Sequence, residues 1–330
     1  MILSDNLTEI EAYLKTQNWL AENESVLKVE KPGEGNMNFT LRVYTSDDKT
    51  FIIKQSRAYV EKYPSIAAPA ERAITEGKFY EFTQTNKKLR SFMPDILGID
   101  ESNNIIVTQD LGISNDFTNL YQPNQQISST EIKAISEYLS ELHSGFRSEI
   151  PNPIFANRAM RALNHEHIFI YPLMEENGFN LDNVLEGLQE AAMIYKTDVA
   201  FKETVKKLGE VYLGDGHYLL HGDYYLGSFL RTNDGVKIID PEFCFYGFAE
   251  FDLGVLIAHL KMSKQSQEAI ELAISSYTKS DDFNENLLNQ FIGVEIMRRI
   301  IGLAQLPLTL SLETRTDLLK EAKLLITSTL

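Results

Sequence analysis

Two short acid-bearing loops constrain this chain more than any other feature. His221, Gly222 and Asp223 follow the apolar run Tyr218, Leu219, Leu220, and Asp240, Pro241 and Glu242 follow Val236, Lys237, Ile238, Ile239. A fold that brings three carboxylates to the ends of short strands must compensate them, because crowded like charges raise one another's pKa and cost stability unless a cation is present. The pattern therefore implies a divalent cation held by oxygen ligands, with a catalytic base beside it. Read blandly, Asp223 is a turn aspartate, but an apolar strand that ends abruptly in Asp-Pro-Glu seldom serves packing alone.

The rest of the chain divides around these loops. Residues 5–21 carry Leu7, Ile10, Tyr13, Leu14 and Leu20 at helical spacing. Val26–Glu30, Phe39–Tyr44 and Thr50–Lys54 read as three antiparallel strands, the last two joined by the turn at Ser46–Lys49. Pro69 opens a helix with an apolar stripe of Ala70, Ala73, Ile74, Gly77 and Tyr80, packed against the sheet. Ile96–Ile99 and Ile105–Thr108 complete the sheet, and Gln109 to Gly112 makes a hinge.

Beyond residue 115 the periodicity is mostly helical. Ser128 and Glu131 form a capping-box signature for a helix ending near His143 and Gly145, and further helices are expected over 180–196, 199–213, 252–262, 265–278, 284–304 and 312–328. The expected architecture is α+β and two-lobed, with a sheet lobe over 1–111, a mostly helical lobe over 112–330, and a cleft between them. At 330 residues and 43% hydrophobic content, the chain is long enough for two such cores.

Charge and cysteine content exclude several roles. A net charge of −16 opposes binding along a nucleic-acid backbone. The single cysteine, Cys244, excludes an intramolecular disulfide and suits core packing in a reducing compartment. No window approaches the ~18 consecutive apolar residues that cross a bilayer, and the first eleven residues lack a basic stretch, so no membrane association is expected and the chain reads as cytoplasmic.

Within this frame each candidate residue has a chemical task. Gly33, Gly35, Asn36 and Asn38 lie in a loop between the first two strands, where glycines let backbone N–H groups approach phosphates; Asn38 stands where a third glycine of G-x-G-x-x-G would be. Lys54, at a strand end, can meet phosphate oxygens and a helix carboxylate, for which Glu76 is the first candidate and Glu71 the second. Asp223 is the candidate base that takes the proton of an acceptor hydroxyl, with His221 holding the turn. Asp240 and Glu242 are candidate Mg²⁺ ligands, and Ser228 either places a hydroxyl at the metal or caps a helix. Arg298 and Arg299 interrupt an apolar helix and face either a phosphate or polyhydroxylated substrate or an intramolecular salt bridge.

These residues carry a family resemblance. Gly33 to Phe39, Ile53-Lys54-Gln55, Gln109-Asp110-Leu111, Leu163-Asn164-His165-Glu166, His221-Gly222-Asp223 with Gly227-Ser228, Asp240-Pro241-Glu242-Phe243, Phe251-Asp252 and Arg298 to Ala304 resemble the protein-kinase-like small-molecule kinases, a group that includes the aminoglycoside phosphotransferases and choline kinases. Within that group the chain most resembles the 5-methylthioribose kinases, on Ser228, the Asp-Pro-Glu motif and the late arginine pair. The resemblance implies a protein-kinase-like fold, with ATP between the lobes near Gln109 and Leu111. It also implies Asp223 as base, Asp240 and Glu242 on Mg²⁺, the arginine pair on a sugar hydroxyl substrate, and a homodimer. Tyr224-Tyr225-Leu226 departs from the family's usual Leu-His-Thr, so phosphotransferases for aminoglycosides, choline or homoserine, and a nucleotide-binding pseudokinase, stand as alternatives.

Overall fold

The computed structural model describes residues 2–33 and 37–328. Gly35 and Asn36, expected to cradle phosphate, lie outside the described residues. The chain forms two compact units, one of Met1–Ser114 with Lys237–Phe243, the other of Asn115–Val236 with Cys244–Leu330. The single division expected after Leu111 thus gives way to a chain that returns to the first unit for seven residues, those that carry Asp240 and Glu242.

The first unit is built on a five-stranded antiparallel sheet. In spatial order it runs β1 (Val26–Glu30), β2 (Phe39–Thr45), β3 (Thr50–Gln55), then the later strands β7 (Ile105–Gln109) and β6 (Ile96–Asp100). Alternation in β2 and β3 sends Leu41, Val43, Phe51 and Ile53 to one face, where they join Ile105 and Val107 and the buried stripe Ile10, Tyr13 and Leu14 of α1 (Leu7–Thr16). Helix α1 is shorter than the expected 5–21, because Asn6 caps its start through Thr8 and Glu9 N–H and the chain turns after Gln17. The other face of the sheet takes α2 (Arg72–Thr83). Gly77 allows this approach, since a Cβ there would lie 2.9 Å from both Ile106 Cγ2 and Ile99 Cδ1. Three elements of this unit went unanticipated: β4 (Tyr59–Val60) and β5 (Tyr63–Ala67), which form a hairpin, and the short helix α3 (Lys87–Phe92).

The second unit is mainly helical. Its first long helix, α4 (Ser129–Gly145), begins with a complete capping box between Ser128 and Glu131. Then come α5 (Arg158–His165), which continues into one π-turn over Glu166–Ile170, α6 (Leu188–Lys196) and α7 (Val199–Leu213). The helix expected over 180–196 is broken: Leu181–Asn183 is a short 3₁₀ turn, and Gly187 at φ +83° precedes α6. Helix α8 (Glu250–Met262) is buried along its length except at Lys261 and packs on α10 (Glu285–Ile301), while α9 (Gln267–Ser276) packs on α4 and α11 (Leu312–Thr327) on α10. Short strands supply the loops. β9 (Tyr218–Leu220) pairs with β12 (Phe245–Gly247), and β10 (Phe229–Thr232) pairs with β8 (Asn115–Asp116). Among the described residues no helix is long and apolar enough to cross a membrane.

Candidate active site

In the first unit, strand pairing and one helix bring charged groups far apart in sequence together. Lys54 projects from β3, and its Nζ lies 2.8 and 2.9 Å from the two oxygens of Glu76 on α2. The same ammonium forms an ion pair with Asp240. Glu71, the second candidate partner, stands instead at the exposed start of α2. Asp240 adopts φ +63°, a left-handed conformation uncommon for a residue with a Cβ, and its N–H donates to the Tyr80 hydroxyl at 3.2 Å. Strain of this kind concentrates at functional sites.

Glu242 follows in a 3₁₀ turn packed on α2. Its Oε2 accepts from Asn38 Nδ2 at 2.9 Å and lies 3.5 Å from Arg72 Nε. Asn38, expected to serve phosphate, thus holds a carboxylate. Gly33 lies in open space, where a Cβ would meet nothing within 4 Å, so close packing does not require a glycine there. At the end of β7, Gln109 is tied to Asp95 through both backbone and side chain, and Asp110 forms a bidentate pair with Arg42 at 2.8 and 3.0 Å. Leu111, beyond it, is half-buried.

Sequence reasoning passed over Arg72. Its fully buried guanidinium donates to the carbonyls of Met37, Arg57, Tyr59 and Pro69 while facing Glu242, so one cation ties the loop before β2, the β4–β5 hairpin and the acidic turn together. Its position in the first turn of α2 gave no local signal of that role.

The electrostatics of this group fit a hard cation. Burial pushes Glu76 up to about 7, with Lys54 opposing and Asp240 and Glu242 reinforcing the rise. Burial also pushes Glu242 up to about 7, against Lys54 and Arg72 and with help from Asp240. Burial disfavours charge on Lys54 too, but Asp240, Glu76 and Glu242 outweigh it and hold the ammonium protonated. Three carboxylates thus share two cations, and a further positive charge would relieve them. Asp240 remains 45% exposed and can donate oxygen to a cation. Among the described residues no three His, Cys, Asp or Glu side chains form a complete ligand set.

In the second unit, Asp223 sits in a loop whose backbone is pinned from behind. Asp252, on α8, accepts the N–H groups of His221 and Gly222 at 2.7 and 3.0 Å, and Gly222 takes φ +86°, which favours glycine. His221 is fully buried, and its Nδ1 accepts the Asp223 N–H at 3.4 Å. Ser228 Oγ, the hydroxyl expected at a metal or a helix cap, donates to the Asp223 carbonyl at 2.8 Å and so closes the loop. Asn164 Nδ2 reaches the Gly222 carbonyl at 3.5 Å from α5. These ties leave the Asp223 carboxylate partly exposed.

The arginine pair meets that carboxylate. Arg299 Nη2 lies 3.4 Å and Arg298 Nη1 3.7 Å from Asp223 Oδ1. Both are buried, and both also bind Glu295 one turn earlier on α10, with Arg299 Nε at 2.6 Å and Arg298 Nη1 at 3.2 Å. The expected salt bridge is therefore present, and the same guanidiniums border Asp223. Glu295 was overlooked although its i, i+3 and i, i+4 spacing to the arginines was visible in the sequence.

No family model matches the chain. Among curated proteins it is 27% identical over 320 residues to the methylthioribose kinase of Geobacillus sp. (strain WCH70), covering 82% of this chain and 77% of that protein. Among solved structures, the choline kinase LicA from Streptococcus pneumoniae superposes with a TM-score of 0.51 at 15% identity, covering 98% of this chain and 100% of that one. A spectinomycin phosphotransferase solved with ADP and spectinomycin gives 0.52 at 13% identity, with 98% of each chain covered. The α+β architecture is the one these kinases share.

Proposed function

We propose that this methylthioribose kinase-like member of the protein-kinase-like superfamily transfers the terminal phosphoryl group of ATP to a hydroxyl of a small, uncharged, polyhydroxylated molecule, 5-methylthioribose or a similar sugar. The observation that carries this reading is the gathering of Glu76 and Asp240 on the single ammonium of Lys54, an arrangement with chemical purpose where a triphosphate is bound. In this reading Lys54 pairs phosphate oxygens and Glu76 keeps the ammonium in place. Asp240 and Glu242 hold Mg²⁺, which neutralises the phosphate charge when bound. Asp223 orients the acceptor hydroxyl and takes its proton as the new P–O bond forms and the bond to the ADP oxygen breaks.

Charge supports an uncharged acceptor. Asp223 and Glu295 balance Arg298 and Arg299, so the surroundings of Asp223 present no excess of negative charge to a polycationic aminoglycoside or to choline. The test is an ADP-release assay with methylthioribose, ribose, choline, homoserine and an aminoglycoside. Methylthioribose or ribose should give turnover, and Asp223→Asn should lower kcat by about 10²–10⁴-fold with ATP affinity nearly unchanged. An Asp223→Asn enzyme with wild-type turnover would remove the proposed base, and turnover of the cations alone would overturn the acceptor class.

A further inference from the structure

Behind Asp223 lies a chain of buried polar groups that the proposed reaction does not itself require. Glu295 is 1% exposed, on a helix turn otherwise lined by Ile292, Ile296 and Met297. Its Oε1 accepts from Arg299 Nε at 2.6 Å and from His259 Nε2 at 2.9 Å, and its Oε2 accepts from Arg298 at 3.2 Å. His259, fully buried on α8, meets the Tyr121 hydroxyl through Nδ1 at 2.5 Å.

The hydrogen bonds fix the protons. Glu295 is held ionised: burial opposes its charge, but Arg299, Arg298 and the His259 hydrogen bond together keep its carboxyl well below the usual range. An ionised carboxylate only accepts, so His259 Nε2 carries the proton, and Nδ1 of the neutral imidazole must accept from Tyr121. Burial pushes His259 down, against the pull of Glu295, in keeping with that neutral tautomer. Donation thus runs from Tyr121 through His259 to Glu295, while the arginines donate to Glu295 from the other side and also face Asp223. Packing gives no reason for it, since a buried charge cluster carries a desolvation cost that apolar side chains would avoid.

Adjacent residues on a helix point about 100° apart, yet Arg298 and Arg299 both reach Asp223 Oδ1. We propose that Glu295, held by His259 and Tyr121, is a positioning residue that draws the two guanidiniums together and presents both to Asp223 and the acceptor hydroxyl. Arg299 is fixed on its other side by the Tyr225 ring, 5.0 Å from the guanidinium carbon. Arg298 Nε is buried and has no hydrogen-bond partner among the described residues, so its guanidinium is oriented from the Nη end, where Glu295 sits.

The kinetic part of this inference rests on the reading of Asp223 as base, so its test has one arm that does not. With methylthioribose and MgATP, Glu295→Gln should lower kcat/KM for the sugar by on the order of 10²-fold, leave KM for ATP within about twofold, and be partly rescued in Glu295→Asp. Tyr121→Phe, which removes only the far hydroxyl, should give a smaller loss with the same split, and it serves if Glu295→Gln does not fold. In the independent arm, NMR of ¹⁵N-arginine-labelled protein should show an Arg299 Nε–H that exchanges slowly with solvent, persisting in Asp223→Asn and exchanging fast in Glu295→Gln or, should that variant not fold, faster in Tyr121→Phe. If no acceptor is phosphorylated the kinase reading fails, and the NMR arm still decides the clamp. A fast-exchanging Arg299 in the wild type, or Glu295→Gln with wild-type sugar kinetics or an equal rise in both KM values, would overturn the proposal.

Discussion

At the scale of single residues, Glu76 holds a conflict that sets a pH dependence. Burial pushes its carboxyl up to about 7 although Lys54 sits 2.8 Å away, because Asp240 and Glu242 draw on the same ammonium. A carboxyl raised in the fold binds a proton there while the unfolded chain has released it. Its contribution is therefore fully present below the ordinary carboxylate value and is lost as pH rises through about 7. We expect the unfolding free energy of the ligand-free protein, measured by urea titration, to fall between about pH 5 and about pH 7.5 by roughly 1–3 kcal/mol, and Glu76→Gln to flatten part of that slope, Glu242 supplying the rest. A slope unchanged in Glu76→Gln would assign it to other groups. The price of this arrangement in stability is consistent with its position beside Lys54, where a bound cation would reverse it.

At the scale of elements, the start of α4 and the turn before Asp223 separate stability from activity. Ser128 and Glu131 close a reciprocal capping box at the exposed end of α4. Further along, the helix backs the Asp223 loop through the Tyr224 hydroxyl, which donates to the Ile135 carbonyl at 2.8 Å, and through the stacked rings of Tyr138 and Tyr224. Ser128→Ala should cost about 1 kcal/mol in urea unfolding and leave both KM values unchanged. Gly222→Ala places a Cβ at φ +86°, where it is strained, in a turn whose N–H groups are committed to Asp252. It should cost about 1–2 kcal/mol and also lower kcat, since Asp223 is the next residue. If Gly222→Ala lost stability alone, the backbone of this turn would have no part in placing Asp223.

At the scale of the whole molecule, the segment Lys237–Phe243 has the largest consequence. It belongs to the first unit although 122 residues of the second, Asn115–Val236, precede it. Asp240 therefore reaches Lys54 across 186 positions of sequence. If Asp240 and Glu242 hold Mg²⁺ on the nucleotide, thermal unfolding with ATP should show a Mg²⁺-dependent stabilisation, about 2.7 kcal/mol at a hundred times Kd. Asp240→Ala should remove the Mg²⁺-dependent part, and an equal gain in that variant would exclude Asp240 as a ligand. The net charge of −16 makes a local cation such as Lys54 the more important for binding any phosphate.

Local chemistry alone made several things legible in the sequence. The period-2 strands β2 and β3, the Ser128–Glu131 cap, and the polar loops bearing Asp223, Asp240 and Glu242 each depend on neighbours a few residues away, which the chain displays directly. What only the tertiary structure decided was which groups meet. Asn38 turned out to hold Glu242, Arg72 to bind four carbonyls, Ser228 to close its own loop, and His259 with Tyr121 to stand behind Glu295. These partners lie up to 204 positions apart. A buried polar group must find a partner, but its own sequence does not specify which, because the choice depends on how strands and helices pack.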